Sequence, residues 1–264
     1  MPELPEVETI ARALAARLAG RRILAAEFRV SRVLLGSPDE MAAGVAGRTV
    51  GAIRRHGKFL IIELSGGRLL TVHLGMTGKL LLGGEPGKYT RALFTLDRGV
   101  LLYDDVRQFG RIEVSHELPA RLVRLGPEPL EIRPEEFQAG LAGRRTRIKP
   151  LLLNQRFLRG VGNIYADEAL FRAGIHPLAG AGRLSRERAE RLRQAIVNVL
   201  REAIRAGGSS VSDYVDADGR QGLFQFSHRV YGRAGEPCRR CRAAIRRIVI
   251  AQRSAHFCPR CQKR

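Results

Sequence analysis

The chain has no long apolar run free of charge, no cysteine before position 238 and very few lysines. The first absence excludes a membrane-spanning helix, and the start of the chain lacks the pattern of a secretory signal, so a soluble cytoplasmic protein is expected. The second excludes a disulfide framework spread through the fold. All four cysteines fall in the last 27 residues, which points to a local metal site in a reducing compartment. Of the 46 basic residues only Lys58, Lys79, Lys88, Lys149 and Lys263 are lysines. Unlike arginine, lysine can form an imine or give up a proton readily, so Lys58 and Lys149 merit notice, while the other three read as chance survivors. Acidic residues are also scarce, 26 in number, and the formal net charge is +20. Such a surplus predicts a polyanionic partner and salt-dependent binding. A length of 264 residues with 44% apolar content allows two domains with cores of their own.

What is present begins with Met1-Pro2-Glu3-Leu4-Pro5-Glu6-Val7-Glu8-Thr9-Ile10. Removal of an initiator Met before a small residue is expected, and it leaves the secondary amine of Pro2 first. An α-amino group has a pKa of roughly 8 against about 10.4 for lysine, so much more of it is free to attack carbon at neutral pH. With an aldehyde-like carbon it forms an electron-withdrawing iminium, and Glu3 and Glu6 are near enough in sequence to move protons. Val7, Ile10, Leu14 and Leu18 are at helical spacing, which fixes this tip at the start of an amphipathic helix ending near Gly20. The alternative is that Glu6 and Glu8 only complement the helix dipole.

Short segments broken by Gly, Pro and Asp at 22–30, 48–55, 58–64, 68–74, 79–82, 91–97, 100–103 and 111–114 predict strands, with turns at Ser65-Gly66-Gly67 and Asp97-Arg98-Gly99. The fold class expected is α+β, an N-terminal β-sandwich or flattened barrel over 1–126 with the first helix at its edge. Prolines at 127–134 mark a linker, and 135–232 reads as helical. Helices are expected over 134–141, 148–157 and 163–174, and from Ser185 to Gly207. The polar segment 209–227 has little periodicity, yet Tyr214, Phe224 and Phe226 argue against disorder.

Cys238-x2-Cys241-x16-Cys258-x2-Cys261 has four-thiolate zinc spacing, two knuckles around a hairpin over 233–264. Four thiolates leave no open position, so one structural Zn2+ is expected. The hairpin presents Arg246, Arg247 and Arg253, and Arg253 at its tip can reach phosphate or the minor groove. Gly160 and Gly162 permit close approach to a phosphate, with Asn163 at a helix start as a donor. Met76 and Phe109 follow strands in turn-like contexts, where each can be a core residue or an apolar wedge that unstacks bases; Arg107 can bond an orphaned base.

Together these residues resemble the bacterial formamidopyrimidine-DNA glycosylase family, also called MutM. The resemblance runs through Pro2-Glu3-Leu4-Pro5-Glu6, Gly57-Lys58-Phe59-Leu60, His73-Leu74-Gly75-Met76, Arg107-Gln108-Phe109-Gly110, Ile148-Lys149-Pro150, Gly160-Val161-Gly162-Asn163-Ile164-Tyr165-Ala166-Asp167-Glu168, Gly174-Ile175-His176-Pro177, Val230-Tyr231-Gly232-Arg233 and Ala251-Gln252-Arg253. It implies a helix-two-turn-helix glycosylase and lyase of base excision repair, acting as a monomer on damaged double-stranded DNA at the bacterial nucleoid. Pro2 would attack C1′ of an oxidised purine nucleotide such as 8-oxoguanine or a formamidopyrimidine, with Glu3 as acid/base and β,δ-elimination following. Lys58, His73, Asn163 and Arg253 would bind phosphates. Met76, Arg107 and Phe109 would fill the vacated stack with Arg107 on the orphan cytosine, 209–227 would cap the extruded base, and Lys149 would lie at that pocket. Gln108 departs from the second arginine many members carry, which affects contacts near the orphan base.

Two other readings compete. An endonuclease VIII-like enzyme for oxidised pyrimidines shares Pro2, Glu3 and the zinc finger, but Leu4, Met76, Arg107 and Phe109 favour the purine branch. A noncatalytic lesion-binding protein needs the charge and the finger, but neither the Pro2-Glu3 terminus nor Lys58.

Overall fold

Period-two patterning organises the first half of the chain, as in Thr90–Leu96, where every second residue is buried. The structure, a computed structural model, describes residues 1–211 and 213–264. It divides into two units, Met1–Val123 with Ala206–Leu223, and Arg124–Arg205 with Phe224–Arg264.

The first unit runs α1 (Leu4–Leu18), β1 (Ile23–Phe28), α2 (Pro38–Val45), β2 (Val50–His56), β3 (Phe59–Leu64), β4 (Arg68–His73), β5 (Lys79–Leu82), β6 (Thr90–Leu96), β7 (Val100–Asp104), β8 (Arg111–Ser115) and α3 (Ala120–Val123). Two antiparallel four-stranded sheets form, ordered β1-β6-β7-β5 and β2-β3-β4-β8. Their inner faces share one core with α1 and α2: Ile10 and Leu14 belong to the same buried cluster as Leu60, Ile62 and Val72 of one sheet and Phe94 and Tyr103 of the other. Each such burial stabilises by roughly 1.5–3 kcal/mol. The eight strands are those expected from the apolar segments between turn residues, each displaced by at most two residues at an end. The helix α2 was not expected; Pro38 sits in its first turn with Asp39 and Glu40, residues that favour a helix start.

The second unit holds α4 (Pro134–Leu141), α5 (Ile148–Leu153), α6 (Asn163–Ala173), α7 (Arg186–Arg205) and the hairpin β9 (Arg246–Ile250) with β10 (Arg253–Phe257). The helix α5 stops four residues short of the expected 157. The Asn154 side chain accepts the Arg156 N–H at 2.9 Å, and this local turn competes with further helix. Gly174 closes α6 in the left-handed conformation, φ 69°.

The segment 209–227, expected as one loop of the helical region, is split between the units. Its first part packs into the sandwich core through Tyr214 and Ala217, while Phe224 begins a short 3-10 turn of the second unit. Ser212, within that expected loop, lies outside the described residues.

Candidate functional site

The tip of α1 is held by reciprocal capping. Glu3 is the N-cap and its side chain accepts the Glu6 N–H, while Glu6 Oε2 accepts the Glu3 N–H at 2.8 Å. Glu6 then uses its other oxygen, Oε1, to accept the Ser209 N–H at 2.8 Å. The Tyr214 hydroxyl donates to the Gly207 carbonyl at 3.0 Å, packing the same segment against the tip. Gly208, at φ 83°, is needed here, because a Cβ would approach Glu6 Oε1 to 2.9 Å. Pro2 is buried, Glu3 is 3% exposed and Met1 is exposed. Glu6 is therefore a strut between the Pro2-Glu3 tip and Ala206–Leu223, not a mere complement to the dipole. Glu8 instead binds Arg12 at 2.7 Å and Arg55 at 2.9 Å. Burial raises its carboxyl, and the two guanidiniums outweigh that and hold it below the usual range.

A two-residue turn joins β2 to β3, with Gly57 at φ 62° and Lys58 beside it. Lys58 is 8% exposed at this tip. His73, the last residue of β4, pairs with Phe59 across the ladder, ring centroids 4.7 Å apart. Its Nδ1 accepts the Gly75 N–H at 3.2 Å, which leaves the proton on Nε2 as a donor. Burial, then the charges of Lys58, Arg111 and Arg121, depress its pKa to about 4. The imidazole is thus a neutral donor in a cationic neighbourhood, an arrangement suited to an anion.

Met76 and Phe109, equally readable as core residues, are 40% and 43% exposed. Arg107 is exposed as well, its guanidinium 4.7 Å from the Phe109 ring centroid. Gln108 between them takes φ 56°, an unusual sign for a side-chain-bearing residue, and this bends the loop so that 107 and 109 flank the reversal.

In the second unit the connection from α5 to α6 is built on Gln155. Its Oε1 accepts the Gly160 N–H at 2.8 Å and its Nε2 donates to the Leu153 and Val161 carbonyls. Asn163 opens α6; its Nδ2 donates to Ser254 Oγ at 3.2 Å and its Oδ1 is buried with no hydrogen-bond partner. Arg253 starts β10 after a two-residue turn in which Ala251 and Gln252 both have positive φ, 46° and 62°. Such a turn matches the twist of a hairpin, although neither residue is the glycine or asparagine it favours.

Lys149 is wholly buried, its Nζ 2.5 Å from Asp167 Oδ1 and 2.5 Å from the Ser254 carbonyl. Asp167 Oδ2 accepts the His256 N–H at 2.9 Å. This network ties α5 and α6 to β10 and fixes the backbone beside Arg253. A lone ammonium in an apolar interior is costly, and Asp167 is the partner that makes it tolerable. Glu168 likewise accepts the N–H groups of Arg229, Val230 and Tyr231. Burial pushes its carboxyl up, against the pull of those three donors.

The four cysteine sulfurs lie within 4.8 Å of one another, with Cys238 to Cys261 at 3.9 Å and Cys241 to Cys258 at 3.4 Å. A tetrahedral ion at the usual Zn–S distance of about 2.3 Å sets its sulfurs about 3.8 Å apart, so the cluster fits zinc. The Arg240 N–H points at Cys238 Sγ and the Cys261 N–H at Cys258 Sγ, donors that favour thiolates. Phe171, Val230 and Ile245 pack round the site.

Residues 1–112 match the formamidopyrimidine-DNA glycosylase N-terminal domain, 125–215 the H2TH domain of that glycosylase, and 235–264 a zinc finger found in FPG and IleRS. The chain belongs to the formamidopyrimidine-DNA glycosylase family. A formamidopyrimidine-DNA glycosylase of Solibacter usitatus is 64% identical over 265 residues, with all of both chains covered. Among solved structures, a Lactococcus lactis FPG mutant bound to Fapy-dG containing DNA matches with TM-score 0.94 at 38% identity, covering 100% of each chain. Lactococcus lactis Fpg bound to abasic site containing DNA matches with TM-score 0.93 at 37% identity, covering 99% of this chain and 100% of that one. The zinc finger of the family and the cysteine cluster agree on one structural Zn2+.

Two outcomes are expected. The folded state keeps His73 unprotonated down to about pH 4, whereas an unfolded chain protonates it near 6.5. Between those values the unfolded chain binds more protons, so stability is full above about 6.5 and falls as pH drops toward 4. Denaturant unfolding at pH 7 and 4.5 should show a loss to which His73 and His228, also depressed to about 4, contribute up to roughly 2–3 kcal/mol each, and His73→Asn should remove the first share only. Stripping zinc with a chelator should weaken binding to duplex DNA by at least about tenfold through loss of the hairpin, and added Zn2+ should restore it; titration by fluorescence anisotropy checks this.

Proposed function

We propose that the protein is a bifunctional DNA glycosylase and AP lyase of base excision repair, excising oxidised purines such as 8-oxoguanine and formamidopyrimidines from duplex DNA. The observation that carries this reading is the buried Pro2-Glu3 tip, capped by Glu6 and braced by Ser209. The names of the family and its relatives, and the damaged DNA bound by the Lactococcus lactis proteins, support the substrate class.

Once Met1 is removed, the Pro2 nitrogen attacks C1′ and the bond from C1′ to the damaged base breaks. Glu3 protonates the sugar ring oxygen as the ring opens, giving an iminium between C1′ and Pro2 nitrogen. That cation acidifies C2′; loss of a C2′ proton expels the 3′ phosphate, and a second elimination expels the 5′ phosphate. Water then hydrolyses the imine and frees the proline. Lys58 and the neutral donor His73 take phosphates, as do Asn163 and Arg253 in the second unit, with the zinc hairpin presenting the last. Met76, Arg107 and Phe109 fill the vacated stack, Arg107 facing the orphan cytosine, and 209–227 covers the extruded base. Eversion costs a few kcal/mol of stacking, which phosphate contacts of a chain with net charge +20 and the inserted side chains offset. No described helix is long and apolar enough to cross a membrane, and we take the protein to work as a monomer on the nucleoid in the bacterial cytoplasm.

An end-labelled duplex with 8-oxoguanine opposite cytosine tests this. The protein should leave a gap with phosphate on both flanking ends. Glu3→Gln should slow ring opening, and with it strand cleavage, by roughly 10²–10⁴-fold while retaining affinity for the duplex. An intact strand after treatment with the zinc-loaded, Met1-free protein, on this lesion and on a formamidopyrimidine, would overturn the reading.

A further inference from the structure

The carboxylate of Asp105 has no place in the chemistry above, yet it is completely buried. Its Oδ1 accepts the Thr77 hydroxyl at 2.5 Å; its Oδ2 accepts the Gly110 N–H at 2.8 Å and the Tyr103 hydroxyl at 3.3 Å. Thr77 in turn uses Oγ1 to accept the Arg107 N–H at 3.0 Å. The Asp105 backbone is itself fixed, its N–H on the Tyr89 carbonyl and its carbonyl on Arg91 Nε, both at 2.9 Å. One carboxylate therefore joins loop 74–78, which carries Met76, to loop 105–110, which carries Arg107 and Phe109.

The loops also touch as backbone. A Cβ on Gly75 would lie 2.5 Å from the Gly110 nitrogen and from the Phe109 carbonyl carbon, and one on Gly110 would meet the Tyr103 hydroxyl. The joint is polar inside and apolar outside, with Met76 and Phe109 directed to solvent. Three donors converge on Asp105, which only accepts. An amide of the same shape would either set an N–H2 against the Gly110 N–H or, turned toward Thr77, reverse that hydrogen bond and remove the charge that strengthens all three.

The geometry points to Asp105, acting through Thr77, as the positioning group that makes the two loops one rigid wedge. It sets where Arg107 reads the orphan base and how far Met76 and Phe109 enter the stack. The amine chemistry at Pro2 does not depend on it. This rests on the reading of Met76, Arg107 and Phe109 as the groups that occupy the vacated stack. A wedge that must displace a base works only if it does not yield, and misplacement by about 1 Å is enough to cost roughly 100-fold in a positioned reaction. Arg107 can donate to the N3 and O2 acceptors of cytosine, whereas adenine presents an amino donor on the same edge; a loosened Arg107 loses that distinction.

The test uses full-length, zinc-loaded protein and the variants Thr77→Val, Thr77→Ser and Asp105→Asn. Two single-turnover rates are measured: excision of 8-oxoguanine from duplexes with cytosine or adenine opposite, and cleavage of a single-stranded oligonucleotide with a plain abasic site, which has no base to evict and no orphan to read. Thr77→Val and Asp105→Asn should lower duplex excision by roughly 10- to 100-fold and flatten the preference for cytosine. Single-strand cleavage should stay within about twofold, and Thr77→Ser, which keeps the hydroxyl, should restore both rate and preference. Unchanged duplex rate and preference in Thr77→Val would overturn the proposal. So would parallel loss on both substrates in Thr77→Val and Asp105→Asn, which marks a general folding role. A parent protein inactive on both substrates would overturn the proposed chemistry and this inference with it, a result distinct from an active parent with indifferent variants.

Discussion

The Glu6 carboxylate is the contact on which the rest of the site depends. The end of a chain is ordinarily the least ordered part of a domain, yet the proposed nucleophile belongs to it. Glu6 resolves this by accepting the Glu3 N–H with one oxygen and the Ser209 N–H with the other. Helix nucleation, the apolar seam of Val7, Ile10 and Leu14, and the Tyr214 anchor all act to keep that carboxylate where both donors can reach it. The buried tip and Ser209, where the segment proposed to cover the extruded base begins, are thereby joined by a single side chain.

Electrostatics complete the arrangement at two levels. The overall excess of positive charge draws the chain to a polyanion without regard to sequence. Locally the fold chooses which basic groups keep a charge and which are interior braces: His73 is neutral at working pH, Lys58 holds a hairpin tip, and Lys149 is consumed by Asp167. The zinc cluster has the same logic. Its four sulfurs lie at the spacing a metal imposes, and the hairpin they carry presents Arg253 from a turn whose two central residues both have positive φ.

Much of this was legible in the sequence. Short apolar segments broken by glycine, proline and aspartate located the eight strands of the first unit, because turn chemistry is written locally. The cysteine spacing located the metal for the same reason. Pairings between distant positions left no such trace. Glu6 and Ser209 are 203 positions apart, and nothing around either residue names the other. The pairing of Lys149 with Asp167, 18 positions on, is equally unannounced by the residues around either. Met76 and Phe109 were apolar residues open to two readings, and only the crossing of two loops, fixed by Asp105, shows them exposed. The helix α2 went unread although its acidic first turn and proline were present.

The most direct measurement is borohydride trapping with zinc-loaded, Met1-free protein on a duplex carrying 8-oxoguanine opposite cytosine, followed by peptide mapping of the adduct. The expected result is a stable cross-link through the Pro2 nitrogen. A cross-link through Lys58 or another lysine, or none on either this duplex or one with a plain abasic site, would contradict the role assigned to the capped N-terminal tip.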